Sequence, residues 1–192
     1  LKFRRNSLKA LSAMALTATI FAAPSFAQAE PKVQLKTSMG DIVVELNEAK
    51  APKSVANFLQ YVRDKHYDGT VFHRVIDGFM AQTGDVQFGN LRKGLDATRV
   101  GTGGSSAPDL PAEFSNIPFD RGVVGMARSN DPNSANSQFF IVFAPSYFLN
   151  GQYTVVGKVV SGMDKVDKIK RGASNDNGTV THPDRMLRVT ID

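Results

Sequence analysis

The sequence contains no cysteine, no tryptophan and only three histidines in 192 residues. Without cysteine there is no disulfide, no thiolate metal site and no lipid-anchored N-terminal cysteine, so stability must come from the core alone. His66, His73 and His182 have no metal-ligand spacing among them; neither a metal nor any other cofactor is expected. A membrane-spanning run is also missing. The apolar stretch from Ala10 to Ala23 has 14 residues and ends at Pro24, whereas a bilayer requires about 20. Excess charge is scarce too. Of 23 basic and 18 acidic residues, four bases (Lys2, Arg4, Arg5 and Lys9) and no acid lie before Glu30, leaving 19 against 18. The dense basic face of a nucleic-acid binder is absent, so no nucleic-acid partner is expected.

What is present begins with an export pattern: a basic start, the Ala-rich run, then the small-residue cleavage sites Ser25-Phe26-Ala27 and Ala27-Gln28-Ala29. Residues 1–29 are read as a cleavable signal, cut after Ala27 or Ala29, and residues 30–192 as one domain with no membrane attachment afterwards. A periplasmic location is the expectation, with secretion to the medium the alternative. Arg4-Arg5-Asn6-Ser7-Leu8-Lys9 resembles the twin-arginine pattern, with Ser7 where Phe is usual, so both export routes stay open.

Val33 to Leu46 alternates around the turn Ser38-Met39-Gly40-Asp41 and reads as a hairpin. Pro52 opens a helix whose Val55, Phe58, Leu59 and Val62 recur at helical spacing, with Lys53, Gln60, Arg63 and Asp64 facing water. Thr70 to Ile76 and Phe79 to Thr83 form strands around Asp77-Gly78, a tight-turn signal because Gly accepts φ > 0. Met80 and Gln82 then share a face, and the folded-back strand brings Arg74 beside them. Gly84 to Pro118 is a long surface loop; its Gly101-Thr102-Gly103-Gly104 lacks the Lys-Ser/Thr pair of a phosphate loop. Gly122 to Arg128, Ser137 to Phe143, Thr154 to Val160 and Leu187 to Ile191 are further strands, and Gly162 to Arg171 a second helix. In Ser137 to Phe143, Gln138 and Phe140 share one face while Phe139 and Ile141 share the other, so both faces are covered. About eight short strands, two helices and no βαβ rhythm predict a mainly β fold, a closed antiparallel barrel capped by two α-helices.

Phe72-His73-Arg74-Val75-Ile76, Gly78-Phe79-Met80, Gln82, Gly84-Asp85, Gly101-Thr102-Gly103-Gly104, Gly125-Met126-Ala127, Ser137-Gln138-Phe139-Phe140-Ile141 and Val156-Gly157-Lys158-Val159 together resemble the cyclophilins, peptidyl-prolyl cis-trans isomerases. The likeness covers essentially all of Val33 to Asp192. It implies an eight-stranded barrel with a helix over each end and a substrate groove on its outer surface. Position by position, it implies that Arg74 is the catalytic arginine, and that Phe79, Met80, Phe140 and Leu149 wall a proline pocket. Gln82 and Gln138 would position the substrate backbone, Ala127 and Arg128 would pair with it, and Gly101 and Ser129 would form the rim. The family's usual pocket tryptophan falls on Phe148 and its histidine on Tyr153, and Arg128 stands where Asn is usual. Isomerisation is expected to survive these changes; cyclosporin binding is expected to be weak. The implied partners are proline-containing polypeptide clients, with the protein itself a monomer.

Taken singly, each residue also has an ordinary reading. A lone Arg in a β-rich segment is usually solvated or salt-bridged, Phe79 and Phe140 would be core, and Met80 a gap-filler. His73 faces away from Arg74 and reads as a hydrogen-bonded structural residue, and Asn177-Gly178-Thr179 as a turn rather than a glycosylation site. Two rival functions follow: a proline-peptide binding or chaperone module, and a barrel carrying a small apolar ligand inside. The many Phe, Ile and Val argue for a filled interior against the latter.

Overall fold

The alternation of apolar and polar residues that marks the first hairpin is realised as β1 (Lys32–Thr37) and β2 (Gly40–Leu46), with Val33, Leu35, Ile42, Val44 and Leu46 fully buried. The computed structural model describes residues 29–192, so nearly all of the expected export signal lies outside the described residues. After the hairpin comes α1 (Pro52–Arg63), with Pro at its start and Val55, Phe58, Leu59, Tyr61 and Val62 buried. No side chain within the helix caps its N-terminus. Instead Glu113, from the long loop, accepts from the backbone N–H groups of Lys53 at 2.9 Å and Ser54 at 2.8 Å, which satisfies two donors that a helix start leaves open.

The remaining strands are β3 (Arg74–Ile76), β4 (Met80–Thr83), β5 (Val123–Met126), β6 (Phe139–Val142), β7 (Val155–Ser161) and β8 (Met186–Ile191). They form one antiparallel sheet in the order β3-β4-β6-β5-β7-β2-β1-β8. The eight strands match the expectation; closure does not. The sheet is a curled, open half-barrel with β3 and β8 at its edges. Residues 70–73 were expected to extend β3, but their backbone groups divide between two partners. Val71 N donates to Gly89 O, whereas Phe72 N donates to Asp184 O and Met186 N to Thr70 O. An isolated Val71–Arg185 bridge and the hydrogen bonds flanking it link the edges there.

An open sheet exposes an edge to unwanted pairing, and the chain covers β3 with the loop 172–180. Gly172 N donates to Val75 O at 2.8 Å, Val75 N to Gly178 O at 2.8 Å and Val180 N to His73 O at 3.0 Å. The second helix is shorter than expected, a single turn, α2 (Met163–Val166). Beyond it Lys168 and Ile169 donate to carbonyls three residues back, and Lys170 N leaves for the carboxylate of Asp184 at 2.9 Å. With backbone donors drawn elsewhere, the helical ladder ends.

Period-two alternation divides the sheet into two apolar clusters. On the concave face, Leu35, Ile42, Phe72, Val75, Ala81, Phe139 and Ile141 pack beneath Phe58 of α1 with essentially no exposure. This is the filled interior that argues against an internal ligand. On the convex face, Met80, Phe119, Val123, Phe140, Val142, Leu149 and Val155 form a separate cluster.

Candidate functional site

Strand register sets the site out as a row across the convex face. Arg74 on β3 lies opposite Gln82 on β4, Gln82 opposite Phe140 on β6, and Phe140 opposite Gly125 on β5. Gly125 is required to be small. A Cβ there would stand 2.5 Å from Cζ of Phe140 and 2.8 Å from Cε1 of Phe119. Its absence lets Phe140 stack on Phe119, with centroids 5.9 Å apart and planes at 17°, while Tyr153 meets Phe140 edge-on at 5.8 Å.

The Asp77-Gly78 turn takes Phe79 into the hairpin loop rather than the strand: Phe79 N donates to Ile76 O at 3.1 Å, and β4 begins at Met80. That frees the Phe79 ring to lean on Phe148, with centroids 5.2 Å apart. Phe148 is 66 % exposed, which makes it rim rather than wall. It sits in a single 3-10 turn, Tyr147–Leu149, that sends Leu149 into the convex cluster.

Ten of the residues expected at the site line one cleft of about 360 Å³: Arg74, Phe79, Met80 and Gln82 from the hairpin, Ala127, Arg128 and Phe140 from the centre, and Phe148, Leu149 and Tyr153 from the far side. Gln138, Gly101 and Ser129 lie on an adjoining polar cleft of about 370 Å³, which shares Gln82, Ala127 and Arg128 with the first. Gln152, which carries no signal of its own in the sequence, lines the first cleft as well.

Amide polarity across the two clefts is fixed from one end. The buried carboxylate of Asp85 accepts from four backbone N–H groups, those of Gln87 (3.1 Å), Phe88 (2.8 Å), Gly101 (2.7 Å) and Gly103 (3.1 Å). Thus held, Gly101 and Gly103 turn their carbonyls toward Gln138, whose Nε2 donates to both at 3.0 and 2.8 Å. Its Oε1 then accepts from Gln82 Nε2 at 2.9 Å, which leaves Gln82 Oε1 to accept from Arg74 Nη1 at 3.2 Å. The segment Val86 to Val100 lies within the long loop from Gly84 to Pro118. Here it packs on itself, with Arg99 over the Phe88 ring at 4.1 Å, and delivers the Gly101–Gly103 carbonyls.

Arg74 is half-buried, and burial pushes its guanidinium below the ordinary arginine value; arginine nonetheless stays charged at neutral pH. Arg74 Nε donates to Asn177 O at 3.1 Å and Nη2 to Asn177 Oδ1 at 2.8 Å. Three of five N–H groups are thereby engaged, leaving two. Asn177 was missed because it lies 103 residues from Arg74 and its only sequence signal is that of a turn. Arg128 folds over Tyr153, 4.4 Å above the ring. Its Nε and Nη2 donate to Gln152 O and its Nη1 to Ser129 O. Among the described residues the main-chain N–H and C=O of Arg128 take no backbone partner.

His73 is buried, and neither ring nitrogen has a hydrogen-bond partner among the described residues; its polar neighbours are the Asp85 carboxylate, the Val71 main chain and the Gln138 side chain. It is a packed histidine rather than a hydrogen-bonded one. No group of three or more His, Asp or Glu residues able to hold a metal occurs among the described residues, and no helix there is long and apolar enough to cross a membrane.

Residues 32–191 match the family model described as cyclophilin type peptidyl-prolyl cis-trans isomerase/CLD. The chain is 58 % identical over 192 residues to a probable peptidyl-prolyl cis-trans isomerase of Brucella suis, covering 100 % of this chain and 98 % of the relative. Among solved structures it resembles a Cryptosporidium parvum cyclophilin type peptidyl-prolyl cis-trans isomerase, with TM-score 0.73 and 28 % identity over 85 % of this chain and 98 % of that one. The same parasite protein solved in the presence of the dipeptide Ala-Pro gives a TM-score of 0.72 at 28 % identity, over 84 % of this chain and 98 % of that one.

Proposed function

The chain belongs to the cyclophilin-type peptidyl-prolyl cis-trans isomerases, and from that premise we propose that it accelerates X-Pro rotation in exported polypeptides without covalent chemistry, with Arg74 donating to the proline nitrogen of the twisted amide. The observation that carries this reading is the Arg74 guanidinium, held by three hydrogen bonds at the edge of an aromatic cleft with two N–H groups uncommitted.

Prolyl rotation takes tens to hundreds of seconds unaided, because amide resonance must be broken. As the bond twists, the nitrogen becomes pyramidal and gains a lone pair. A donor aimed there stabilises only the twisted state, so it lowers the barrier without tightening the ground state. Arg suits the task since it offers several donors and does not surrender its proton. A charge-assisted hydrogen bond contributes about 1.5–3 kcal/mol, or about one to two powers of ten in rate. The remaining acceleration falls to the apolar walls. Phe79, Met80, Phe140 and Leu149 seat the proline ring and exclude water that would bond the planar amide's carbonyl, while Gln82 holds the chain partly turned.

The free main-chain N–H and C=O of Arg128, beside Ala127, suit antiparallel pairing with the substrate backbone, with Gly101, Ser129 and Gln138 receiving residues before the proline. A neighbour solved in the presence of Ala-Pro supports a proline-containing chain as occupant. Phe148 has no N–H to offer where the family usually has tryptophan, hence the proposal of weak cyclosporin binding; tight binding on titration would contradict it. The export pattern in residues 1–29 supports periplasmic clients. Fractionation of cells expressing the full chain tests that location, and cytoplasmic retention would overturn it. Light scattering tests the monomer.

The decisive measurement is the exchange rate of a short X-Pro peptide, followed by NMR with the wild type and with Arg74→Ala. A fall of about ten- to a hundredfold is expected. Equal rates would remove Arg74 from the mechanism.

A further inference from the structure

We infer that Asn177 is a positioning residue for the reaction, a clamp that sets the direction in which the Arg74 guanidinium presents its free N–H groups; the inference rests on the reading of Arg74 as the donor. Arginine has several rotatable bonds, and one contact to Gln82 at 3.2 Å would leave the guanidinium free to swing about it. Asn177 removes that freedom by accepting at two points. Its main-chain O takes Nε–H at 3.1 Å and its side-chain Oδ1 takes an Nη2–H at 2.8 Å. Nε and Nη2 lie along one edge of the planar group, so engaging both fixes its plane as well as its position.

The clamp is itself held. Asn177 has φ 47° and Gly178 φ 78°, a left-handed pair that brings main-chain O and side-chain Oδ1 of one residue to the same target. Asparagine adopts this region more readily than most residues with a Cβ. Behind it Gly178 presses on the β3 edge so closely that a Cβ there would stand 2.6 Å from Ile76 Cγ1. Gly178 O accepts from Val75 N at 2.8 Å, the residue after Arg74. The loop that covers the open edge of the half-barrel thus reaches the guanidinium from the side opposite Gln82.

Asn177→Gly deletes the Oδ1 contact while retaining the left-handed backbone and the main-chain acceptor, so an unchanged melting temperature is expected. In the peptide exchange assay the variant should lose about three- to tenfold in kcat, with KM little changed because the clamp acts through the twisted state. The second arm repeats the substitution in an Arg74→Ala background, where it should cost less than a further twofold. If Arg74→Ala is slow but Asn177→Gly turns over at the wild-type rate, the clamp is overturned and the donor reading stands. An equal loss in both backgrounds means that Asn177 does not act through Arg74 and likewise overturns the inference. If Arg74→Ala alone retains the wild-type rate, the donor reading falls and the clamp with it.

Discussion

Phe139 and Phe140 are neighbours on β6, both about 95 % or more buried, and they belong to different parts of the molecule. Phe139 points into the concave core, within 4.9–5.4 Å of the rings of Phe58 and Tyr67. Phe140 points outward to Phe119 and Tyr153 and forms the floor of the cleft. The backbone, the ladder and the residue type are shared; the difference is what completes the packing. On the concave side the protein completes it alone, whereas on the convex side the ring borders the cleft proposed to take the substrate. The two positions should therefore fail in different ways. Phe139→Ala should destabilise by about 3–5 kcal/mol, read from chemical denaturation, while the folded fraction keeps its peptide exchange rate. Phe140→Ala should lose less stability and at least about tenfold in peptide affinity or rate, since an aromatic wall of the cleft goes. Equal losses of both kinds at both positions would dissolve the distinction between the faces.

The same alternation made much of the site legible in the sequence. Period two placed Met80 and Gln82 on one face and Phe140 and Gln138 on another strand's matching face. Asp77-Gly78 folded Arg74 back beside them. Contacts created by irregular chain were not legible. Asn177 clamps Arg74 across 103 residues, Glu113 caps α1 from 59 and 60 residues away, and Asp85 pins Gly101 and Gly103 through backbone donors that every residue but proline has. None of these rests on periodicity, because hydrogen bonds to main-chain groups leave no side-chain pattern at the receiving end. The sheet is an open half-barrel rather than the expected closed barrel for a related reason. Counting strands shows that edges must be protected, but it cannot distinguish a ladder from a loop, and here loop 172–180 takes the edge. The long second helix was likewise read from its apolar spacing, which gives no sign that Lys170 N would be drawn to Asp184.

A gentler break of the comparison lies at Gly125, where the convex cluster closes over one missing atom. Gly125→Ala would drive a Cβ to 2.5 Å from Phe140 and 2.8 Å from Phe119, and the stacked pair must part. Overpacking of this kind costs about 1–3 kcal/mol. Because the displaced ring is the cleft floor, the loss should appear in exchange rate as well as in denaturant midpoint, unlike Phe139→Ala. A variant with wild-type activity and stability would mean that the Phe119–Phe140 stack is not what shapes the cleft.

The smallest expected effect compares His73 with Arg74, adjacent residues of which one is buried and the other half-buried at the cleft. The guanidinium, facing out, is matched by three acceptors and keeps its charge. The imidazole, buried, has no hydrogen-bond partner and lies against Gly101, where even an added Cβ would be 3.2 Å from its Cδ2. Burial lowers the His73 pKa from 6.5, with the Asp85 carboxylate opposing in part. The folded state therefore holds fewer protons at this position than the unfolded chain. Stability from the neutral ring is complete above the unfolded value and declines as pH falls below it toward the folded value, with a slope of at most about 1.4 kcal/mol per pH unit for one proton. Denaturation free energies measured between pH 7.5 and pH 5 (about one unit above and below the unfolded histidine range) should fall in the wild type and flatten in His73→Leu. The exchange rate of the folded enzyme should stay level over the same interval, because Arg74 does not titrate there. A slope that survives His73→Leu would assign the acid sensitivity to another group, and a rate that tracked the slope would mean that the buried imidazole reaches the chemistry proposed at Arg74.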